Sequence, residues 1–275
     1  MKFIRLATIA ALSSTILAGG AVSVFADETR EVTTEGQVQF VPASDEDGEL
    51  EVIPPIDPEE GPDVEIDPIV PETTGPLSIL MAPAMNFGSQ VISNQDQVYN
   101  MVAEMQQQRG TEGDENKVPY VSFAQVQDLR GTNEGWDLQV SLSDFTSTTQ
   151  NNVLTGAEIT FVDSYMEYVG SNQENAPVTH AAGLTLLPNG AARSVMTAEQ
   201  TKGAGASSVV WGNQADLNTK FADDEIEIVE NEAIQLSIPG TTAKDATTYT
   251  STLTWELTTT PGEDGPGETD PEIDV

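Results

Sequence analysis

The sequence predicts an all-β protein: an antiparallel β-sandwich domain preceded by an acidic, proline-rich, disordered spacer. Three observations carry this. Short runs such as "PYVSFAQV", "GWDLQVSL", "AEITFVDSY" and "TYTSTLTWEL" alternate apolar and polar residues with the period of a half-buried strand. Clusters of Gly, Asn, Asp and Ser separate them. No long segment carries a helical apolar stripe, and many short strands spaced by turns favour a sandwich.

Residues 1–26 stand apart. Lys2 and Arg5 precede a small, apolar run without charge, and Val24-Phe25-Ala26 places small residues at the positions a signal peptidase reads. This predicts a secretory signal peptide ending at Ala26. Removing its two basic residues leaves eight against 45 acidic ones, a net charge of −37 for the exported chain. Such a field repels nucleic acid and anionic membranes, so neither is expected as a partner. There is no Cys, so stability must come from burial rather than disulfides, and a lipoprotein anchor is excluded. No second apolar run of membrane-spanning length follows, so no membrane insertion is expected.

Residues 27–76 hold one basic residue, Arg30, and eight of the 16 prolines, with acidic residues every second or third position from Ser44 onward. Proline removes ladder donors and like charges repel, which predicts an extended, disordered spacer. The Asp57-Pro58 and Asp67-Pro68 pairs hint at a loose repeat. Residues 77–260 change character, with sparse Pro and frequent Thr and Val, and form the predicted folded domain. Within it "DQVYNMVAEMQQQRG", 96–110, reads as strand, as do "GLTLLP", "EIEIVE" and "AIQLSI". Residues 261–275 return to acidic, Pro- and Gly-rich composition and read as a frayed tail.

Two of the three Trp lie in the same tripeptide context, Trp136-Asp137-Leu138 and Trp255-Glu256-Leu257. In a strand, residues i and i+2 share a face, so Trp136, Leu138, Val140 and Leu142 lie together, as do Leu253, Trp255 and Leu257. Two readings stay open. Both Trp fill a core, or the two Trp-Leu pairs form an exposed platform for a sugar or peptide. Trp211, in "VVWGN", is a further aromatic candidate for binding.

These motifs, "GWDL" and a near-terminal "TLTWEL", resemble the signature of the WxL-domain surface proteins of Gram-positive bacteria. "TGPLSILMAPAMNFGSQ" at 74–90 resembles that domain's opening. "VQDLRGTNEGWDLQVSLSDF" at 126–145, with Asp128, Arg130 and Gly131, resembles its first motif, and "LTGAEITF" and "VVWGN" its middle. The acidic tail 261–275 departs from the pattern, since members end soon after the second motif. The resemblance implies export and non-covalent retention on the cell wall by peptidoglycan binding through the motif-bearing domain. It also implies partners among other cell-surface proteins, including a membrane-anchored companion family, and for some members adhesion to host matrix. The motif positions carried over are Trp136, Leu138, Trp255 and Leu257.

No enzyme is expected. His180 is the single His, no Gly-x-Ser-x-Gly elbow accompanies it, and "APVTHAAG" reads as a loop. Metal sites built on His or Cys are excluded by count; oxygen-ligand calcium binding stays open at the densest acidic stretch, "FADDEIEIVE" at 221–230, against the favoured reading of a solvated turn before a strand. "DEDG" at 45–48 lacks the spaced ligands of a calcium loop. "TKGAGASSVVWGNQ" at 201–214 reads as a flexible, Gly-rich surface loop ending in a strand, without the following helix and placed Lys that phosphate binding needs. No cofactor and no metal is therefore predicted. The function expected is wall attachment; the rival is a protein–protein module docked on a membrane-anchored partner, and a carbohydrate-active enzyme is a more distant third.

Overall fold

The computed structural model describes residues 37–42, 51–66, 73 and 75–259. The chain divides into two units, 1–39 and 40–275. Of the first, only residues 37–39 are described, without regular structure. The predicted signal peptide, the "DEDG" run and the tail 261–275 lie outside the described residues.

The second unit contains fifteen strands among the described residues. They begin with β1 (Val64–Glu65), β2 (Leu77–Met81), β3 (Gln97–Val102), β4 (Glu104–Gln108) and β5 (Lys117–Tyr120). β6 (Ser122–Asp128), β7 (Trp136–Leu142), β8 (Glu158–Phe161), β9 (Tyr165–Val169) and β10 (Val178–Thr179) follow. The last are β11 (Leu184–Leu186), β12 (Arg193–Ala198), β13 (Gly205–Trp211), β14 (Glu230–Ile238) and β15 (Leu253–Thr258), with one helix, α1 (Gln214–Phe221), before β14.

Every ladder between these strands is antiparallel. The strands form four sheets, in the orders β1-β4-β5, β2-β6-β13-β9, β11-β8-β14-β3 and β10-β12-β7-β15. The all-β, antiparallel reading therefore holds, while the expected two-layer sandwich is not clearly reproduced: the arrangement is propeller-like. Register shifts at Ile79/Met81, Ser194/Met196 and Asn231/Gln235 interrupt three ladders. Such bulges bend and end pairing, which favours several short sheets over two long ones.

Two apolar clusters sit under these sheets. One gathers Trp136, Leu138, Phe161, Trp211 and Ile234. The other gathers Val64, Leu80, Tyr120, Phe123 and Val210. The second cluster corrects the spacer reading over residues 51–66. Val52 and Val64 are buried there, and β1 pairs with β4. The Gln125 side-chain amide accepts from the Ile53 N–H (2.9 Å) and donates to the Ile53 carbonyl (2.7 Å), imitating a ladder partner. The Tyr120 hydroxyl accepts from the Ile56 N–H at 3.0 Å. Apolar residues spaced through an acidic segment thus find a groove, and the prolines reduce the entropy lost on ordering it.

Three local expectations change. "EIEIVE" is mostly turn, and only Glu230 belongs to β14; Ile226 and Ile228 are exposed. The strand expected at the end of the 201–214 loop takes up most of it: β13 begins at Gly205 and is an interior strand paired with β6 and β9. A helix does follow it: α1, capped by the Asn213 side chain, buries only Gln214 and Leu217, too little to leave a stripe in the sequence.

Candidate functional site

β7 and β15 are neighbours, so the two tripeptides form one structural unit. Leu138 lies opposite Leu257, Val140 opposite Trp255, and Leu142 opposite Leu253. Trp136 and Leu138 are fully buried, and Trp255 and Leu257 are half-buried against the same cluster. The Trp136 Nε1–H donates to the Gly203 carbonyl at 3.1 Å. A Cβ at Gly203 would lie 2.6 Å from that nitrogen, so only glycine permits the contact. The core reading is what Trp136 adopts. Trp211, weighed as an exposed aromatic, is likewise fully buried, packed against Phe161, His180 and Trp255.

The third Trp completes the cluster. The rings of Trp211 and Phe161 stack with centroids 4.7 Å apart, and Trp255 is tilted against Trp211 at 6.2 Å. The Trp211 Nε1–H donates to His180 Nε2 at 2.8 Å, while His180 Nδ1 meets the Ala181 carbonyl at 2.7 Å. These contacts assign the neutral tautomer protonated on Nδ1. Burial holds the His180 pKa below its ordinary value, partly opposed by the Ala181 carbonyl and the Asp163 charge. Both ring nitrogens are thus engaged, which leaves neither for a nucleophile.

The middle residue of the first tripeptide is fully buried as well. The Asp137 carboxylate accepts from Ser194 Oγ (2.7 Å), Thr197 Oγ1 (2.6 Å) and Gln139 Nε2 (2.6 Å). The two hydroxyl bonds tie β12 to β7 on the face opposite the Trp, while the Gln139 bond lies within β7. The loop before β7 is set by Arg130, whose guanidinium donates to both Asp128 carboxylate oxygens (2.9 and 2.8 Å) and to the Gly135 carbonyl (2.9 Å). Gly135 has φ 79°, and a Cβ there would lie 2.4 Å from the Ala198 carbonyl oxygen.

Beside this core lies a cleft of about 830 Å³. Residues 85–92 form one wall and residues 244–251 the other. Phe145, Leu154, Ile159 and Leu236 are its buried lining, and Leu253, Tyr99 and Tyr249 are half-buried in it. Leu253 opens β15, two residues before Trp255, so the motif strand helps to shape the cleft without Trp255 lining it. The 244–251 wall is fixed from within. Lys244 Nζ donates to the carbonyls of Ser93, Pro239 and Thr242 (3.2, 3.1 and 3.0 Å). Asp245 accepts from the backbone and side-chain amides of Asn151, which hold its carboxyl below the usual range. The Tyr249 hydroxyl accepts from the Asp245 N–H (3.0 Å) and donates to the Asn151 carbonyl (2.6 Å).

Sequence reasoning missed this cleft, whose walls come from segments far apart in the chain. The one local signal was the apolar pair Val91-Ile92 inside an otherwise polar loop. It also missed Glu104, whose carboxyl is pushed up to about 7 by burial, against hydrogen bonds from Ser122 and Ala84; this residue does not line the cleft. Among the described residues no group of three or more His, Cys, Asp or Glu is placed to hold a metal ion. Among them, too, no helix is long and apolar enough to cross a membrane.

The family model described as "WxL domain surface cell wall-binding" matches residues 27–261. No curated protein matches the chain. No solved structure matches it.

Proposed function

The chain belongs to the WxL-domain surface cell wall-binding family, and from that premise we propose that it is an exported protein held non-covalently on the Gram-positive wall by direct binding to peptidoglycan. The family match over most of the chain is the observation that carries this reading. The preformed cleft beside the motif strands supports it, because a wall polymer needs a fixed concave surface. In this reading Trp136, Leu138, Trp255 and Leu257 act by building the scaffold, and the contacts to the wall are made by neighbouring surface. Display on the wall would make the protein available to other surface proteins and for adhesion to host matrix.

The reading is one of binding without catalysis. The engaged nitrogens of His180 support that, and Glu104 is not among the residues that line the cleft. A second reading has one observation in its favour. Among the described residues β15 has a ladder partner on one side only, β7, and carries the half-buried Trp255. Such an edge can take an added strand from a protein partner, including a membrane-anchored one.

Co-sedimentation of residues 27–275 with protein-free peptidoglycan separates the two. Pelleting with bare peptidoglycan is the expected result. A chain that stays in the supernatant until a partner protein is added supports the second reading.

A further inference from the structure

The cleft between residues 85–92 and 244–251 combines an apolar interior with a rim of neutral hydrogen-bonding groups. Ser89, Gln90, Thr247, Thr248, Thr250 and Ser251 supply that rim. Two lining residues, Lys244 and Asp245, are charged at neutral pH. Lys244 is committed to three backbone carbonyls, and Asp245 to the amides of Asn151. Their hydrogen bonds are engaged within the wall and their charges are opposite, so the lining carries no net charge at neutral pH. The chain as a whole carries a formal charge of −35, which repels phosphodiester polymers. The lip is apolar and faces water: Val91 is 88% exposed and Ile92 55%. Exposed apolar residues at the mouth of a preformed cleft mark a contact surface.

A ligand that suits these walls is uncharged where it touches them. It alternates apolar faces with hydroxyl and amide groups. N-acetylated amino-sugar rings have this character, with C–H faces for Tyr99 and Tyr249 and acetamido methyls for the apolar depth. Teichoic acids are anionic along their length, and stem peptides present charged groups.

We infer that this cleft receives the N-acetylated glycan backbone of the wall, and that Val91 and Ile92 form its apolar lip. The inference rests on the wall-binding reading and assigns that reading a place and a chemical class.

Four probes test it with residues 27–275: intact peptidoglycan, glycan strands stripped of stem peptides by an amidase with the freed lactyl carboxylates capped as neutral amides, free stem peptides, and isolated wall teichoic acid. The glycan strands are expected to bind. Ile92→Asp and Val91→Asp are expected to weaken that binding about tenfold or more, by placing charge on a contact that excludes water. Both variants should melt as the parent does, and Val91, almost wholly in solvent, is the safeguard should Ile92→Asp perturb the loop. Glycan binding that both variants leave unchanged would overturn the location. Binding confined to stem peptides or teichoic acid would overturn the ligand class while leaving wall attachment standing. Failure of intact peptidoglycan to bind would instead remove the wall-binding reading, and the inference with it.

Discussion

Leu138 and Leu257 face each other across the β7–β15 ladder, so the third residues of the two Trp-x-Leu tripeptides, 119 positions apart in the chain, are direct cross-strand partners. The repeat is the signature of one paired strand unit. Its Trp residues are offset by the register: Trp255 lies opposite Val140, while Trp136 sits beyond, bonded to Gly203. The duplication is thus explained by packing, and the binding surface is sought in what that packing holds in place.

Trp136→Ala is expected to cost about 3–5 kcal/mol, since a fully buried indole leaves a cavity and orphans the Gly203 carbonyl. Trp255→Ala, half-buried on an edge strand, is expected to cost less. Chemical denaturation of both variants checks the order. Equal costs would contradict the assignment of Trp136 to the interior and Trp255 to the margin.

Asp137→Ala leaves two hydroxyls, Ser194 and Thr197, without their shared acceptor, one of them fully enclosed. Each lost partner is expected to cost about 1–3 kcal/mol. Hydrogen exchange should then speed up in β12 before it does in β14, because only β12 is tied to β7 through this carboxylate.

His180 gives a pH dependence with a defined sign. Its folded pKa is depressed, so protonation favours the unfolded chain. The stability it confers is complete above about pH 6.5, the unfolded value, and falls as pH drops from there through the folded pKa. Protonation also destroys the acceptor for the Trp211 Nε1–H. Thermal melts across this range should show the slope in the parent and not in His180→Gln. A slope retained in the variant would place its origin elsewhere.

Glu104 acts in the opposite sense. Its carboxyl is raised from 4.5 to about 7, so its contribution is complete below about pH 4.5 and is lost as pH rises through 7. Glu104→Gln should therefore gain stability relative to the parent between these limits and keep that gain above them. A difference that does not vary with pH would contradict the assignment.

The strands of the motif unit were legible because alternation is strict there: "WDLQVSL" places four apolar residues on one face. The same pattern misled at "EIEIVE", where the alternation has no partner strand and Ile226 and Ile228 meet solvent. Residues 51–66 were read as disordered from their proline and charge. What orders them is a groove on β6 whose key group, the Gln125 amide, lies more than seventy residues away. His180 does sit outside regular structure, just after β10, as read; its burial was not legible because it depends on Trp211, which only the fold brings to it. Beyond the apolar Val91-Ile92 pair the cleft had no sequence signature, since strands and loops from residue 85 to residue 253 each contribute a part.

The salt dependence of binding to peptidoglycan stripped of teichoic acid tests the central claim most directly. If the wall is held by uncharged contacts in a preformed cleft, the fraction of residues 27–275 that pellets stays constant, or rises as salt screens the chain's own negative field. A bound fraction that falls steeply as salt rises would show attachment through ion pairs, and would contradict the account.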